Sequence, residues 1–229
     1  MKDRAPAIDR IPERVILASS SPRRRELLRR LVTGFDVRVP NIDESRNDTA
    51  HPIEHAANLA AGKARAVAPG AGLRVARDPA SPVLLIAADT VVFRGDRLLE
   101  KPGDRSEARA FLKELSGRPH TVCTALSLQW WSLSENPMQV APPAGGAPAA
   151  DPPAGLLVRR VDSATLTEVR FHHLTDGEID WYLSTGEWEG VAGGYRLQEA
   201  GAALISSIRG SYTNVVGLPL ETLFSILRS

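Results

Sequence analysis

The 229-residue chain contains a single cysteine, Cys123, and this scarcity excludes two kinds of site. An internal disulfide needs two cysteines, and a zinc site built from cysteine thiolates needs several. Cys123 lies in an apolar run and is predicted to be a small core residue. No apolar run approaches the roughly 18 residues of a membrane-spanning helix, and no signal sequence follows Met1. We therefore expect a cytoplasmic protein with no membrane partner.

An excess of charge of either sign is also lacking, since the formal net charge is +1. A nucleic-acid-binding protein would need a basic stripe or an aromatic surface interleaved with basic residues, and we expect no nucleic-acid partner. Any anion site must come from local placement of charges.

Lysine is scarce in this arginine-rich chain, occurring only at Lys2, Lys63, Lys101 and Lys113. A compact ammonium group is what a crowded phosphate site can require.

What the chain does contain is a series of strand and helix patterns that follow one another closely. Strands are predicted at 15–18, 35–39, 84–88, 91–93, 119–132, 157–172 and 202–208. Helices are predicted at 22–32, 52–68, 104–115 and 175–185, with a last helix from Pro219 after a turn at 209–217. Because strands and helices intermix, we expect an α/β protein with a mixed sheet.

The length favours a single domain over residues 1–229. Residues 1–13 are expected to form an irregular leader, and 69–82 a surface loop. The stretch 133–155 is rich in proline, alanine and glycine and cannot pack a core. We predict that it is a flexible insertion between the two strands of a long hairpin.

The segment from Ile16 to Leu28 joins an apolar strand to an amphipathic helix through three serines, a proline and three arginines. Ser21 suits the N-cap of the helix and Pro22 its first position. The free N–H groups of the first turn and the guanidinium groups of Arg23–Arg25 would then favour phosphate oxygens. A plain strand-to-helix junction with solvated arginines explains the same residues.

Asp89 is the strongest catalytic candidate. It follows the apolar run 84–88 and is expected at the carboxyl end of a buried strand, where ligands collect in open α/β sheets. A carboxylate there can act as a general base or hold a metal ion. The alternative is a turn between two strands that is stabilised by the aspartate side chain.

Other polar residues are weaker candidates when each is taken alone. Glu44 is a second acidic candidate in a loop, although loop carboxylates are usually only solvated. Lys63 is predicted on a helix, and Lys101 lies in a turn stiffened by the proline that follows it. His51 and His55 are spaced for metal ligation, but no third ligand is evident, so we interpret them as structural or surface residues.

Taken together, these segments resemble the Maf family of nucleoside triphosphate pyrophosphatases from Ile16 to about Leu227. The motifs are Ala-Ser-Ser-Ser-Pro-Arg-Arg (18–24), Asp-Glu (43–44), Ala-Gly-Lys-Ala (61–64), Ala-Asp-Thr-Val-Val (88–92), Lys-Pro (101–102), Leu-Ser-Gly-Arg-Pro-His (115–120), Thr-Glu-Val-Arg-Phe (167–171), Ala-Gly-Gly-Tyr-Arg-Leu-Gln (192–198) and Asn-Val-Val-Gly-Leu-Pro-Leu (214–220). The resemblance implies the inosine-triphosphate-pyrophosphatase-like fold, an elongated twisted sheet flanked by helices, with two lobes around a central cleft.

The resemblance also implies an activity: hydrolysis of a nucleoside triphosphate to the monophosphate and pyrophosphate, with a divalent cation, Mg²⁺ or Mn²⁺. In Maf proteins the aspartate matching Asp89 is the proposed proton acceptor, and the chain resembles the branch that cleaves dTTP and UTP. The residues associated with pyrimidine preference match Arg23, Thr90 and Gln198. The rest of the polar lining of the family's cleft matches Ser21, Arg24, Glu44, Lys63 and Lys101. A house-cleaning role on modified or non-standard nucleotides and a homodimer are further implications.

Two questions stay open at this point. Glu44, with or without Asp89, is the predicted metal ligand, and direct ligation by Asp89 would weaken its role as a base. Where many family members carry Asp-Lys-Ala-Gly, this chain has Val191 in place of the lysine, close in sequence to Gln198.

Alternative functions are a pyrophosphatase of different base specificity, such as one that cleaves 7-methyl-GTP, and a nucleotide-binding regulator of cell division or septum formation with little turnover.

Overall fold

The computed structural model describes residues 11–44, 51–68, 82–133 and 155–229. The predicted leader before residue 11, the predicted loop 69–82 except its last residue, and the interior of the predicted insertion 133–155 lie outside the described residues.

Seven strands form one open, mixed sheet. They are β1 (Arg14–Ala18), β2 (Asp36–Arg38), β3 (Val83–Arg94), β4 (Arg97–Leu99), β5 (Pro119–Leu133), β6 (Gly155–Phe171) and β7 (Ile205–Arg209). The order across the sheet is β2-β1-β3-β5-β6-β7, and β4 pairs with the far end of β3. Strand β1 runs parallel to both of its neighbours, whereas the pairs from β3 to β7 are antiparallel. The mixed α/β class and the long β5–β6 hairpin are confirmed.

Six α-helices flank the sheet within the described residues: α1 (Pro22–Arg29), α2 (Pro52–Val67), α3 (Arg105–Leu115), α4 (Asp176–Ser184), α5 (Tyr212–Val216) and α6 (Leu220–Arg228). Side-chain hydrogen bonds cap the first turns of several helices, as the sequence predicts. Ser21 accepts a hydrogen bond from the backbone N–H of Arg24 at the start of α1. Thr175 and Glu178 form a reciprocal capping box at the start of α4. No helix in the described part of the chain is long and apolar enough to cross a membrane.

The apolar residues of β3 alternate between the two faces of the sheet and so build core on both sides. Leu84, Ile86 and Ala88 pack with residues of α1 and α6. Leu85 and Ala87 pack on the opposite face with residues of α2. A separate cluster joins α3 and α4 to the other end of the sheet. Cys123 is fully buried, as predicted.

Three sequence-based predictions about elements are wrong. Strand β3 runs without interruption from Val83 to Arg94, so Asp89 does not end a strand. The predicted strand 202–208 begins only at Ile205, because a 3-10 helix occupies Ala200–Leu204. The Glu187 carboxylate accepts hydrogen bonds from the N–H groups that begin this helix. The predicted turn 209–217 contains the short helix α5.

Candidate active site

Asp89 lies inside β3, just beyond the carboxyl end of the neighbouring strand β1. The parallel pairing of β1 with β3 ends at Ala18 and Ala87, and Asp89 then pairs only with Ala125 of β5. Asp89 therefore does not lie at the carboxyl end of its own strand, contrary to the prediction from the sequence. It lies beside the carboxyl end of the neighbouring strand β1. The loop that follows β1 leaves open the space above Asp89, which is the arrangement that gathers ligands in open α/β sheets.

Asp89 belongs to a chain of alternating charges. The Lys63 ammonium nitrogen lies 2.6 Å from Asp89 Oδ1 and 2.7 Å from Glu44 Oε1. The Lys101 ammonium nitrogen lies 2.8 Å from the other Glu44 oxygen, Oε2. Asp89 Oδ2 has no hydrogen-bond partner among the residues that the structure describes. Two carboxylates and two ammonium groups, which the sequence places far apart, thus meet at one point.

Lys63 reaches this point from the buried face of α2. Its neighbours on that face are small or apolar, Ala56, Ala60, Ala64 and Val67, and only 7% of its own side chain is exposed. A buried ammonium group is tolerated only when opposite charges and hydrogen bonds replace its water. The carboxylates of Asp89 and Glu44 supply that replacement.

Glu44 is the more solvent-exposed carboxylate of the pair, and its charge is strongly stabilised. Burial by itself would raise the pKa of Glu44. Hydrogen bonds and electrostatic attraction from Lys101 and Lys63 outweigh burial and lower this pKa to about 2. Glu44 is therefore an anion at neutral pH.

Arg24 connects helix α1 to Thr90 of β3, on the face of the strand opposite to Asp89. Its Nε donates to the Gly217 carbonyl at 2.8 Å, and its Nη2 donates to Thr90 Oγ1 at 3.0 Å. A weaker contact of 3.4 Å reaches Ser19 Oγ. Burial lowers the pKa of Arg24, while the negative charges of Asp89 and Glu44 oppose that shift. Arg24 thus both fixes the wall of the site and adds a positive charge near Asp89.

Asn214, on α5, fastens this helix to strands β5 and β6 beside the site. It is fully buried, and its Oδ1 accepts from the Thr124 N–H at 3.0 Å. Its Nδ2 donates to the Val122 carbonyl at 3.0 Å and to Thr167 Oγ1 at 2.9 Å. Thr124 Oγ1 in turn lies 2.9 Å from Thr90 Oγ1. A five-residue helix is thereby fastened to the sheet beside the site, which the sequence pattern did not reveal.

A cleft of about 480 Å³ is lined by Arg24 and by the four residues of the charge chain. Every residue that the sequence analysis assigned to the site lines it, namely Ser21, Arg23, Arg24, Glu44, Lys63, Asp89, Thr90, Lys101 and Gln198. A second cavity of about 190 Å³ adjoins the first and shares Glu44, Asp89, Thr90 and Lys101 with it. The remaining lysine of the described residues, Lys113, lines neither cavity; it is exposed and pairs with Asp176.

Sequence reasoning missed several lining residues at the end of the cleft formed by residues 190–199. Arg196 and Glu199 lie there beside Gln198, and Val191 is a buried part of the wall. Burial and the charges of Arg196 and Arg24 lower the pKa of Arg23, so two further guanidinium groups influence that residue. The sequence signal that could have found Arg196 is its position two residues before Gln198.

Family comparisons agree with this architecture. The family model described as Maf-like protein matches residues 14–229 of the chain. The chain belongs to the Maf family. The resemblance seen in the sequence motifs is confirmed over the whole described sheet and cleft.

Similar members of the family share one name. A dTTP/UTP pyrophosphatase of Syntrophus aciditrophicus is 40% identical over 218 residues, covering 95% of this chain and 90% of that protein. One from Anaeromyxobacter dehalogenans is 38% identical over 215 residues, covering 94% and 93%. One from Pyrococcus furiosus is 36% identical over 217 residues, covering 94% of each.

Two of the acidic residues that line the cleft, Glu44 and Asp89, also have the chemistry of a metal site. No group of three or more histidine, cysteine, aspartate or glutamate residues is placed to hold a metal ion in the described ranges. The Glu44 and Asp89 carboxylates nevertheless meet at one ammonium group. One or two carboxylates, completed by substrate phosphates and water, are how Mg²⁺ is commonly held, and Mn²⁺ also favours oxygen ligands. The donor set therefore fits a divalent cation that arrives with a nucleotide.

Proposed function

We propose that this Maf-family protein hydrolyses dTTP and UTP to the nucleoside monophosphate and pyrophosphate. The observation that carries the proposal is the charge chain Asp89–Lys63–Glu44–Lys101 inside a cleft of nucleotide size, about 480 Å³. Relatives that cover nearly the whole chain bear the name dTTP/UTP pyrophosphatase, and they support the choice of substrate.

The lining of the cleft is positive on balance, which suits an anionic substrate. A nucleoside triphosphate brings close to four negative charges. The cleft is lined by five positively charged side chains, Arg23, Arg24, Lys63, Lys101 and Arg196, and by three carboxylates, Glu44, Asp89 and Glu199. Fixed cations stabilise the oxygens on which charge develops in the transition state. They also hold the phosphates still, which converts attack by water into a reaction within one complex.

Asp89 is the proposed general base. Lys63 fixes the orientation of its carboxylate through Oδ1, which leaves Oδ2 to accept a proton from water. The water oxygen bonds to the α-phosphorus as the bond from that phosphorus to the bridging oxygen breaks. Pyrophosphate leaves with the electron pair, and the proton passes to Asp89.

A divalent cation is the proposed cofactor, and Glu44, with or without Asp89, would hold it; direct ligation by Asp89 would weaken its role as the base. When bound, Mg²⁺ or Mn²⁺ would supply positive charge to the phosphate oxygens. Lys63 and Lys101 together balance the charges of the two carboxylates, so these side chains present little net repulsion to the incoming triphosphate.

Pyrophosphate release from the purified protein tests the proposal. The substrates are dTTP, UTP, CTP, GTP, ATP and 7-methyl-GTP, each with Mg²⁺, with Mn²⁺ and with excess chelator. We expect selective cleavage of dTTP and UTP that stops with the chelator. Preferred cleavage of 7-methyl-GTP would replace the proposed specificity, and nucleotide binding without pyrophosphate release would support the regulatory alternative instead.

A further inference from the structure

One end of the cleft presents hydrogen-bonding groups that have no protein partner. The Arg23 guanidinium and the Gln198 amide line the cleft, and neither has a hydrogen bond or ion pair to any residue that the structure describes. The Nε atom of Arg196 is buried and likewise lacks a hydrogen-bond partner within the described ranges. A buried polar atom is normally paired, so the unpaired Arg196 Nε indicates a ligand at this end of the cleft, where the partly exposed Arg23 and Gln198 side chains add further hydrogen-bonding groups.

Arg196 differs from its two neighbours because the fold holds it in place. Its backbone N–H donates to the Tyr182 hydroxyl at 3.1 Å, and its Nη2 donates to the Glu189 carbonyl at 3.2 Å. Its Nη1 lies 3.6 Å from a carboxylate oxygen of Glu199. A donor that is held before the ligand arrives loses little conformational freedom on binding, and it discriminates sharply between ligands.

The two ends of the cleft differ in chemistry. Around Asp89, cations predominate and every carboxylate is paired with an ammonium group. Around Arg196, donors stand beside acceptors, because the Glu199 carboxylate and the Gln198 carbonyl accept hydrogen bonds. A phosphate group offers only acceptors and is repelled by a carboxylate. The mixed end therefore suits the edge of a neutral base, and the cationic end suits the triphosphate.

Uracil and thymine share one edge that cytosine lacks. Their C4 carbonyl accepts and their N3–H donates, whereas cytosine has an amino donor at C4 and an acceptor at N3. An amino group opposite a guanidinium group would set donor against donor. Resting on the proposed function, we propose that Arg196 is a specificity-determining residue that donates a hydrogen bond to the C4 carbonyl of uracil or thymine and so rejects cytosine.

The test compares kcat/KM for UTP and CTP in the wild type and in Arg196→Ala and Arg196→Lys. Arg209→Ala is the matched control, because Arg209 is an exposed arginine on β7 that does not line the cleft. Loss of a positioned hydrogen bond should lower the preference for UTP over CTP by about tenfold or more in Arg196→Ala. Most of that loss should come from slower UTP cleavage. Arg196→Lys keeps the charge but loses the planar fork, so it should also lose part of the preference.

A fall of the same factor for UTP and CTP in Arg196→Ala would overturn the inference, since it would mean that Arg196 acts on the phosphates or on the shape of the cleft. Binding of non-hydrolysable UTP and CTP analogues gives a second readout that does not need turnover. If the wild type binds the UTP analogue selectively but cleaves no nucleotide, the proposed hydrolysis fails while Arg196 can still be tested. Equal binding of both analogues by the wild type would contradict the role of Arg196 itself.

Discussion

The ammonium nitrogen of Lys63 lies 2.6 Å from Asp89 Oδ1, so a helix residue and a central-strand residue form one buried ion pair. Only 7% of the Lys63 side chain and 10% of the Asp89 side chain are exposed. A pair this deeply buried is costly to break, because the partner that remains keeps its charge without water. The position of the proposed base is therefore coupled to the packing of α2 on the sheet.

Lys63→Met should destabilise the protein because it leaves the Asp89 carboxylate buried without its cation. Removing one partner of a buried pair typically costs about 3–5 kcal/mol in the free energy of unfolding. Urea denaturation at neutral pH measures this cost. Lys113→Met is the control, since Lys113 pairs with Asp176 at the surface and such pairs contribute less than about 1 kcal/mol. Equal costs for the two variants would show that the buried pair is not a structural element.

Glu44 should contribute stability that depends on pH in a defined window. Its pKa is about 2 in the folded protein against an ordinary value of 4.5, so the folded state favours the anion. The contribution is fully present above pH 4.5 and is lost as the pH falls towards 2. Glu44→Gln removes the titrating group. The difference in unfolding free energy between the wild type and this variant should stay constant above that window and shrink within it. A difference that persists unchanged at pH 2 would contradict the assignment.

Asn214→Ala should both destabilise the fold and weaken substrate binding. The substitution leaves the Thr124 N–H and the Val122 carbonyl without their Asn214 partners, and each such loss costs about 1–3 kcal/mol. It also loosens the segment that carries the Gly217 carbonyl, which accepts a hydrogen bond from Arg24. We expect a raised KM together with a lower unfolding free energy. Asn58→Ala on the exposed face of α2 should change the unfolding free energy by less than about 0.5 kcal/mol.

The sequence was informative wherever local chemistry decides the structure. Ser21 and Pro22 begin α1 as their side chains predict, and Thr175 with Glu178 begins α4. The buried strands around Asp89 were also predicted, because apolar runs of that length have few alternatives. All the predicted site residues line one cleft, although Asp89 and Thr90 lie inside β3 and Lys63 lies inside α2.

The sequence failed where long-range contacts decide the structure. Polar Asp89 and Thr90 resembled a break in the strand, yet Lys63, Arg24 and Thr124 satisfy them and let β3 continue. Helix α5 is too short to show a helical period, and its anchor, Asn214, finds its partners on two distant strands. The single domain, the homodimer and the cytoplasmic location stay predictions.

The most direct test of the central claim is pyrophosphate release from UTP by Asp89→Asn in a single turnover. Asparagine has nearly the same shape but cannot accept the proton, so the rate should fall by about 10²–10⁴-fold. Binding of a non-hydrolysable UTP analogue should change by only a few-fold, and the control Asp162→Asn, an exposed residue paired with Arg160, should keep the full rate. A rate for Asp89→Asn within a few-fold of the wild type would contradict the role of Asp89 as the base.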